Sequence, residues 1–137
     1  MANPFAHIEL STDDVGAAKK FYKSLFGWKL KDLPAMGYTM IDVGKGTGGG
    51  MMKKQMPEQP TMWLPYVQVD SVKKTVDKAK KAGANAMVEY QAIGDMGAIG
   101  VLIDPAGAAF GVWEMGKPAP KRAKKAAKKK KKKSGKR

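Results

Sequence analysis

Ala6, Ile8 and Leu10 alternate with His7 and Glu9, and that period of two predicts a half-buried strand with one apolar and one polar face. Ser11, Thr12 and Asp13 follow with side-chain oxygens suited to the unpaired amides of a helix start, and Asp13 and Asp14 suit the positive end of its dipole. Val15, Ala18, Tyr22 and Leu25 then recur at helical spacing. Phe21 and Phe26 widen that stripe, while Lys19, Lys20 and Lys23 fall off it. Gly27 supplies a left-handed stop. Further strands are predicted over residues 28–33, 38–43 and 48–53, with a turn at 34–37. Gly48, Gly49 and Gly50 leave two readings open, close backbone approach around an open space or a loose loop. No strand-to-helix turn with Lys-Ser/Thr follows them, so a phosphate cradle is not expected.

After a linker with two prolines the pattern restarts. Tyr66 and Gln68 alternate with Val67 and Val69, Asp70 and Ser71 repeat the cap, and Val72, Val76, Ala79 and Ala82 repeat the helical stripe before a stop at Gly83. Strands are predicted over 86–90, 97–104 and 108–114, with a loop at 91–96. Asp104-Pro105-Ala106-Gly107 joins the last two strands as a type I turn. The order is βαβββ, linker, βαβββ, which argues for duplication. The predicted fold is α+β, two βαβββ modules at about 4–54 and 62–115 in one domain over 1–116. One helix covers one face of each sheet, and the other face must meet the other half, a partner or a ligand.

Composition changes this picture in two ways. Hydrophobic residues make up 43% of the 137, enough for a core. The net charge of +14 is concentrated: 13 of the 26 Lys+Arg and none of the 12 acids lie in residues 117–137, which leaves 1–116 at a net of +1. Self-repulsion and the lack of apolar side chains predict a disordered tail that binds nucleic acid or another polyanion without reading sequence, through Lys128, Lys129, Lys130, Lys131, Lys132 and Lys133. It has no aromatic residue to stack bases, and a solubility role or attraction to anionic lipid are the alternatives. The absence of cysteine excludes disulfides, thiolate metal sites and cysteine nucleophiles. The first residues lack a basic start and an apolar run, and no stretch reaches the ~20 apolar residues of a membrane span, so a cytoplasmic location is expected.

The motifs His7-Ile8-Glu9-Leu10, Phe21-Tyr22-x-x-Leu25-Phe26-Gly27-Trp28, Tyr66-Val67-Gln68-Val69 and Asp104-Pro105-Ala106-Gly107 leading to Phe110-Gly111-Val112-Trp113 resemble the vicinal oxygen chelate superfamily, the glyoxalase/bleomycin-resistance/dioxygenase group. The resemblance covers about residues 4–115. It implies paired modules whose sheets curl into a cup around a small ligand. In catalytic members it implies four metal ligands, from the first and last strands of each module. Those positions fall on His7, Tyr66, and near Gly50 and Gly111, so one expected ligand of the four is a good one. No cofactor is assigned. A divalent metal remains an alternative through His7 and Glu9, which share a strand face, but a stable site needs a third protein ligand.

His7 and Glu9 are the candidate catalytic residues, His7 as general base and Glu9 as its orienting partner or a second base. The bland alternatives are a histidine held by hydrogen bonds and a solvated carboxylate. Tyr66, Gln68, Met52 and Trp113 are candidate ligand contacts, with a place in the core as the alternative for the last two. Three functions follow: a small-molecule binder of lyase or isomerase type, a non-catalytic sequestering protein, or a nucleic-acid accessory acting through the tail. A homodimer that completes the cups between chains is a further expectation.

Overall fold

The structure is a computed structural model that describes residues 2–116; the tail expected from 117 onward lies outside the described residues. The order is β1 (Phe5–Thr12), α1 (Val15–Phe26), β2 (Lys29–Leu33), β3 (Tyr38–Asp42), β4 (Gly49–Lys53), β5 (Met62–Gln68), α2 (Val72–Lys81), β6 (Asn85–Ala92), β7 (Gly97–Ile103) and β8 (Ala109–Met115). The predicted turn at 34–37 and part of the predicted loop at 91–96 are single 3-10 turns, Pro34–Met36 and Gly94–Met96. No helix among the described residues is long and apolar enough to cross a membrane.

Both helices start and stop where side-chain chemistry allows. Asp14, one residue beyond the expected caps, accepts the Ala17 amide at 2.9 Å, and Gly27 closes α1 at φ 67°. Ser71 accepts the Lys74 amide at 3.2 Å, and Glu114 reaches across from β8 to take the Val72 amide at 2.8 Å. The Asp104 carbonyl accepts the Gly107 amide at 2.9 Å, closing the expected turn.

The eight strands form one curled, open mixed sheet in the order β2-β3-β4-β1-β5-β8-β7-β6. The halves meet where β1 and β5, the first strand of each, pair antiparallel. On either side β1 pairs parallel with β4, and β5 parallel with β8. The pairing therefore relates the halves by an approximate two-fold axis through the sheet centre. The helices lie on one side. The core beneath α2 is Val72, Val76, Leu102 and Val112; that beneath α1 is Leu10, Ile41 and Met51 with Val15, Ala18, Tyr22, Trp28 and Trp63 against it.

The helical stripes end sooner than their spacing predicts. Leu25, Phe21 and Phe26 are more than half exposed, and Ala82 is exposed.

Candidate active site

Strand alternation places His7 and Glu9 of β1 on the sheet face opposite the helices. The β1–β5 register sets Tyr66 directly across from His7. Their rings lie 5.9 Å apart at 67°, on one side of one sheet.

A fourth residue, Tyr38 of β3, joins them. Its hydroxyl lies 2.6 Å from His7 Nε2 and donates to Glu9 Oε1 at 3.1 Å, while the Tyr66 hydroxyl donates to Glu9 Oε2 at 3.5 Å. Tyr38 has one proton to give. When it goes to Glu9, the short contact with His7 requires His7 to donate from Nε2, which leaves Nδ1 of the neutral ring as the free base. Burial pushes the His7 imidazole below its ordinary value. Burial also pushes the Glu9 carboxyl up, opposed in part by the two phenol hydrogen bonds. Both phenols are held well above the ordinary phenol range, first by burial and then by the negative charge of Glu9, so they remain donors.

The glycines explain how Tyr38 and Tyr66 reach this position. A side chain at Gly50 would overlap the Tyr38 ring, and one at Gly111 would overlap the Tyr66 ring. Each phenol is laid over a glycine of the neighbouring strand, once in each half. Gly49 closes against the Ile8 backbone and Gly48 against the Ile41 carbonyl, so close approach accounts for the glycine run, by backbone at Gly48 and Gly49 and by the Tyr38 ring at Gly50. The family's metal does not fit this donor set. The last-strand positions have no side chain, the space over them holds phenol rings, and no group of three or more His, Asp or Glu among the described residues is placed to hold an ion.

The other candidates lie on the same face but do not bond to this cluster. Met52 neighbours Ser11 and Tyr38 in register. The Gln68 amide donates to the Met115 sulfur at 3.2 Å, and the Trp113 indole donates to the Met96 carbonyl at 2.8 Å. Tyr38 was the residue that pattern reading missed. The available signal was the glycine at position 50, which leaves a space that some large neighbour must fill. The polar lysines Lys128 to Lys133 lie outside the described residues.

Comparison with known proteins agrees with this architecture. A family model described as bleomycin resistance protein-like N-terminal matches residues 5–44. The putative glyoxylase CFP32 of Mycobacterium tuberculosis (strain CDC 1551 / Oshkosh) is 39% identical over 114 residues, covering 78% of this chain and 44% of the relative. The anthracycline biosynthesis protein DnrV of Streptomyces peucetius is 27% identical over 128 residues, covering 81% and 46%. The chain therefore spans about half the length of these curated relatives. Among solved structures, a hypothetical protein from Bacillus halodurans C-125 superposes with a TM-score of 0.64 at 16% identity, covering 87% of this chain and 99% of the other. Methylmalonyl-CoA epimerase from Mycobacterium tuberculosis superposes with a TM-score of 0.60 at 16% identity, covering 88% and 91%. These two likenesses concern the fold.

Proposed function

Because the chain belongs to the vicinal oxygen chelate superfamily, we propose that it binds a small, largely apolar carbonyl compound on the open face of its sheet and isomerises it by proton transfer without a metal ion. The observation that carries this reading is the linked set His7, Tyr38, Glu9 and Tyr66, which occupies the region where a metal would sit in catalytic relatives. Burial disfavours charge on both His7 and Glu9, which draws a base and an acid closer together in proton affinity. Tyr38 bridges them. One group removes a proton from the carbon beside the carbonyl, and the other returns a proton at the neighbouring atom. Substrate and product are isomers, so no co-reactant is consumed. Met52 and Trp113 serve as apolar walls, with Gln68 at the rim.

The test is exchange of the α-proton of 2-oxo and α-hydroxycarbonyl compounds in D2O, followed by NMR. Acceleration by the wild-type chain is expected, with a loss of about 100-fold or more in His7→Ala and in Glu9→Gln. A sequestering role is the second reading, favoured by the match of residues 5–44 to the bleomycin-resistance-like model. It predicts tight binding with no exchange, and an affinity that survives His7→Ala. Wild-type protein that neither exchanges nor binds any compound of this class would remove the small-molecule reading altogether.

A further inference from the structure

Each oxygen of the Glu9 carboxylate receives a phenol, and the two bonds are unequal. Tyr38 donates to Oε1 at 3.1 Å, and its hydroxyl is also held from the other side by His7 at 2.6 Å. Tyr66 donates to Oε2 at 3.5 Å, well beyond the roughly 2.5–3.0 Å usual between hydroxyl and oxygen, and its hydroxyl has no other polar partner among the described residues. The Tyr66 ring is fixed all the same. It is 3% exposed, it lies where a Gly111 Cβ would stand, and it meets the His7 ring edge-on at 5.9 Å. Burial and the nearby charge of Glu9 keep the phenol protonated. The site therefore holds one phenol that is locked between two partners and one whose ring is immobile but whose O–H is loosely engaged. A donor of the second kind is set in place before reaction and is still able to change acceptor.

We propose that Tyr66 is a catalytic residue whose hydroxyl turns from Glu9 to the carbonyl oxygen of the bound compound, while Glu9 is the base that takes the proton from the neighbouring carbon. This inference rests on the proton-transfer reading above, which left Tyr66 without a role of its own. As the C–H bond breaks, its electron pair forms the C=C bond of an enolate, and the π pair of the carbonyl moves onto oxygen. Glu9 becomes a neutral acid in the same step. Negative charge thus leaves the carboxylate and appears on the substrate oxygen, and the Tyr66 proton follows it. In the ground state the carbonyl competes for that proton with a charged carboxylate; in the enolate the competitor is neutral. The hydrogen bond is therefore stronger after proton removal than before, which is the condition for accelerating the step rather than tightening binding. A proton returned at the neighbouring atom discharges the enolate. The proton on Glu9 makes good that loss through Tyr38, which touches both Glu9 and His7. Tyr38 is a positioning residue in this scheme, because both sides of its hydroxyl are already taken.

A binding measurement tests the donor without any turnover. The probe is 4-nitrophenolate, a stable oxyanion whose absorbance reports its ionised form, titrated into the full chain. Glu9→Gln imitates the neutral acid, so this variant is expected to bind the probe at least about 10-fold more tightly than wild type. Adding Tyr66→Phe to that background is expected to weaken binding at least about 10-fold, and adding Tyr38→Phe to weaken it less. Tyr66→Phe removes one oxygen and leaves the ring over Gly111, so the fold is retained by circular dichroism. In the D2O exchange assay, Tyr66→Phe alone is expected to lower kcat about 100-fold with KM within about threefold of wild type. Phenolate affinity that ignores Tyr66→Phe, or that depends more on Tyr38, overturns the inference, as does a Glu9→Gln variant that binds no phenolate. An exchange rate unchanged by Tyr66→Phe overturns it too, and leaves the proton-transfer reading standing. A wild-type chain that exchanges no α-proton, in which phenolate binding still depends on Tyr66, overturns that reading and upholds Tyr66 as the oxyanion donor.

Discussion

Gly50 and Gly111 are where two backbone positions decide the chemistry of two side chains. Each lacks a Cβ, and the Tyr38 or Tyr66 ring lies where that atom would be. Gly50→Ala should therefore displace the Tyr38 ring and cost about 1–3 kcal/mol, as overpacking does. In a Tyr38→Ala background the same substitution should cost little, giving a coupling of at least about 1 kcal/mol in a double-mutant cycle by urea unfolding. Equal costs in both backgrounds would mean that the ring is not held by the glycine. The pH dependence of stability belongs to the same cluster. The His7 pKa is depressed by burial, so its contribution is present above the unfolded value near ~6.5 and is lost as pH falls through the folded value. The Glu9 pKa is raised, so its contribution is present below the unfolded value near ~4.3 and is lost as pH rises through the folded value. Glu9→Gln should accordingly raise the urea midpoint at pH 7.5 relative to wild type, with the gain shrinking toward pH 4. His7→Asn should flatten the wild-type decline on the acid side. Midpoint curves that simply run parallel to wild type would exclude both assignments.

The two helices read almost alike in the sequence, and their packing differs for a reason that lies in other elements. Beneath α2, Gly100 of β7 presents no side chain, and the space where its Cβ would stand is 3.1 Å from Val76 and 3.2 Å from Val72. The helix settles onto the sheet there. Beneath α1, the stacked rings of Tyr22 and Trp28 and the edge of Trp63 fill the gap between helix and sheet. The C-terminal half of α1 is left with its apolar residues in solvent. Helical periodicity shows which residues share a face, but the depth to which that face sinks depends on the sizes of side chains on distant strands. Val76→Ala should thus cost about 2 kcal/mol by loss of fully buried methyl groups. Leu25→Ala, measured by chemical unfolding, should stay within about 0.5 kcal/mol. Amide exchange under the same conditions should open α1 before α2. Equal costs at the two sites would contradict the unequal seating.

At the scale of the whole molecule, the duplicated order of elements was legible because each half repeats its cap, stop and strand periods. His7, Glu9 and Tyr66 were legible as one group for the same reason, since equivalent first strands carry them. Tyr38 was not, because the β3–β4 register that sets it opposite Met52 and beside Gly50 is fixed by pairing across the sheet rather than by spacing along the chain. Gln68 and Trp113 lie on the right face, but Met115 and Met96 supply them with nearer partners. The remaining feature read from the sequence, the basic segment 117–137, is separable from the fold by charge alone, because 1–116 carries 13 basic against 12 acidic residues. A nearly neutral body has little attraction for a polyanion, whereas 13 clustered cations release counterions on binding, with an affinity that falls linearly in log salt. The full chain should bind mixed-sequence duplex DNA by fluorescence anisotropy, equally well for unrelated sequences, with a loss of at least about 100-fold between 50 and 200 mM salt. A chain ending at Gly116 should show no such binding at either salt while keeping its circular dichroism. Retention of DNA by that shortened chain would move the polyanion site onto the sheet or α1, where Lys20 and Lys23 beside the Leu30 groove become the next cations to neutralise.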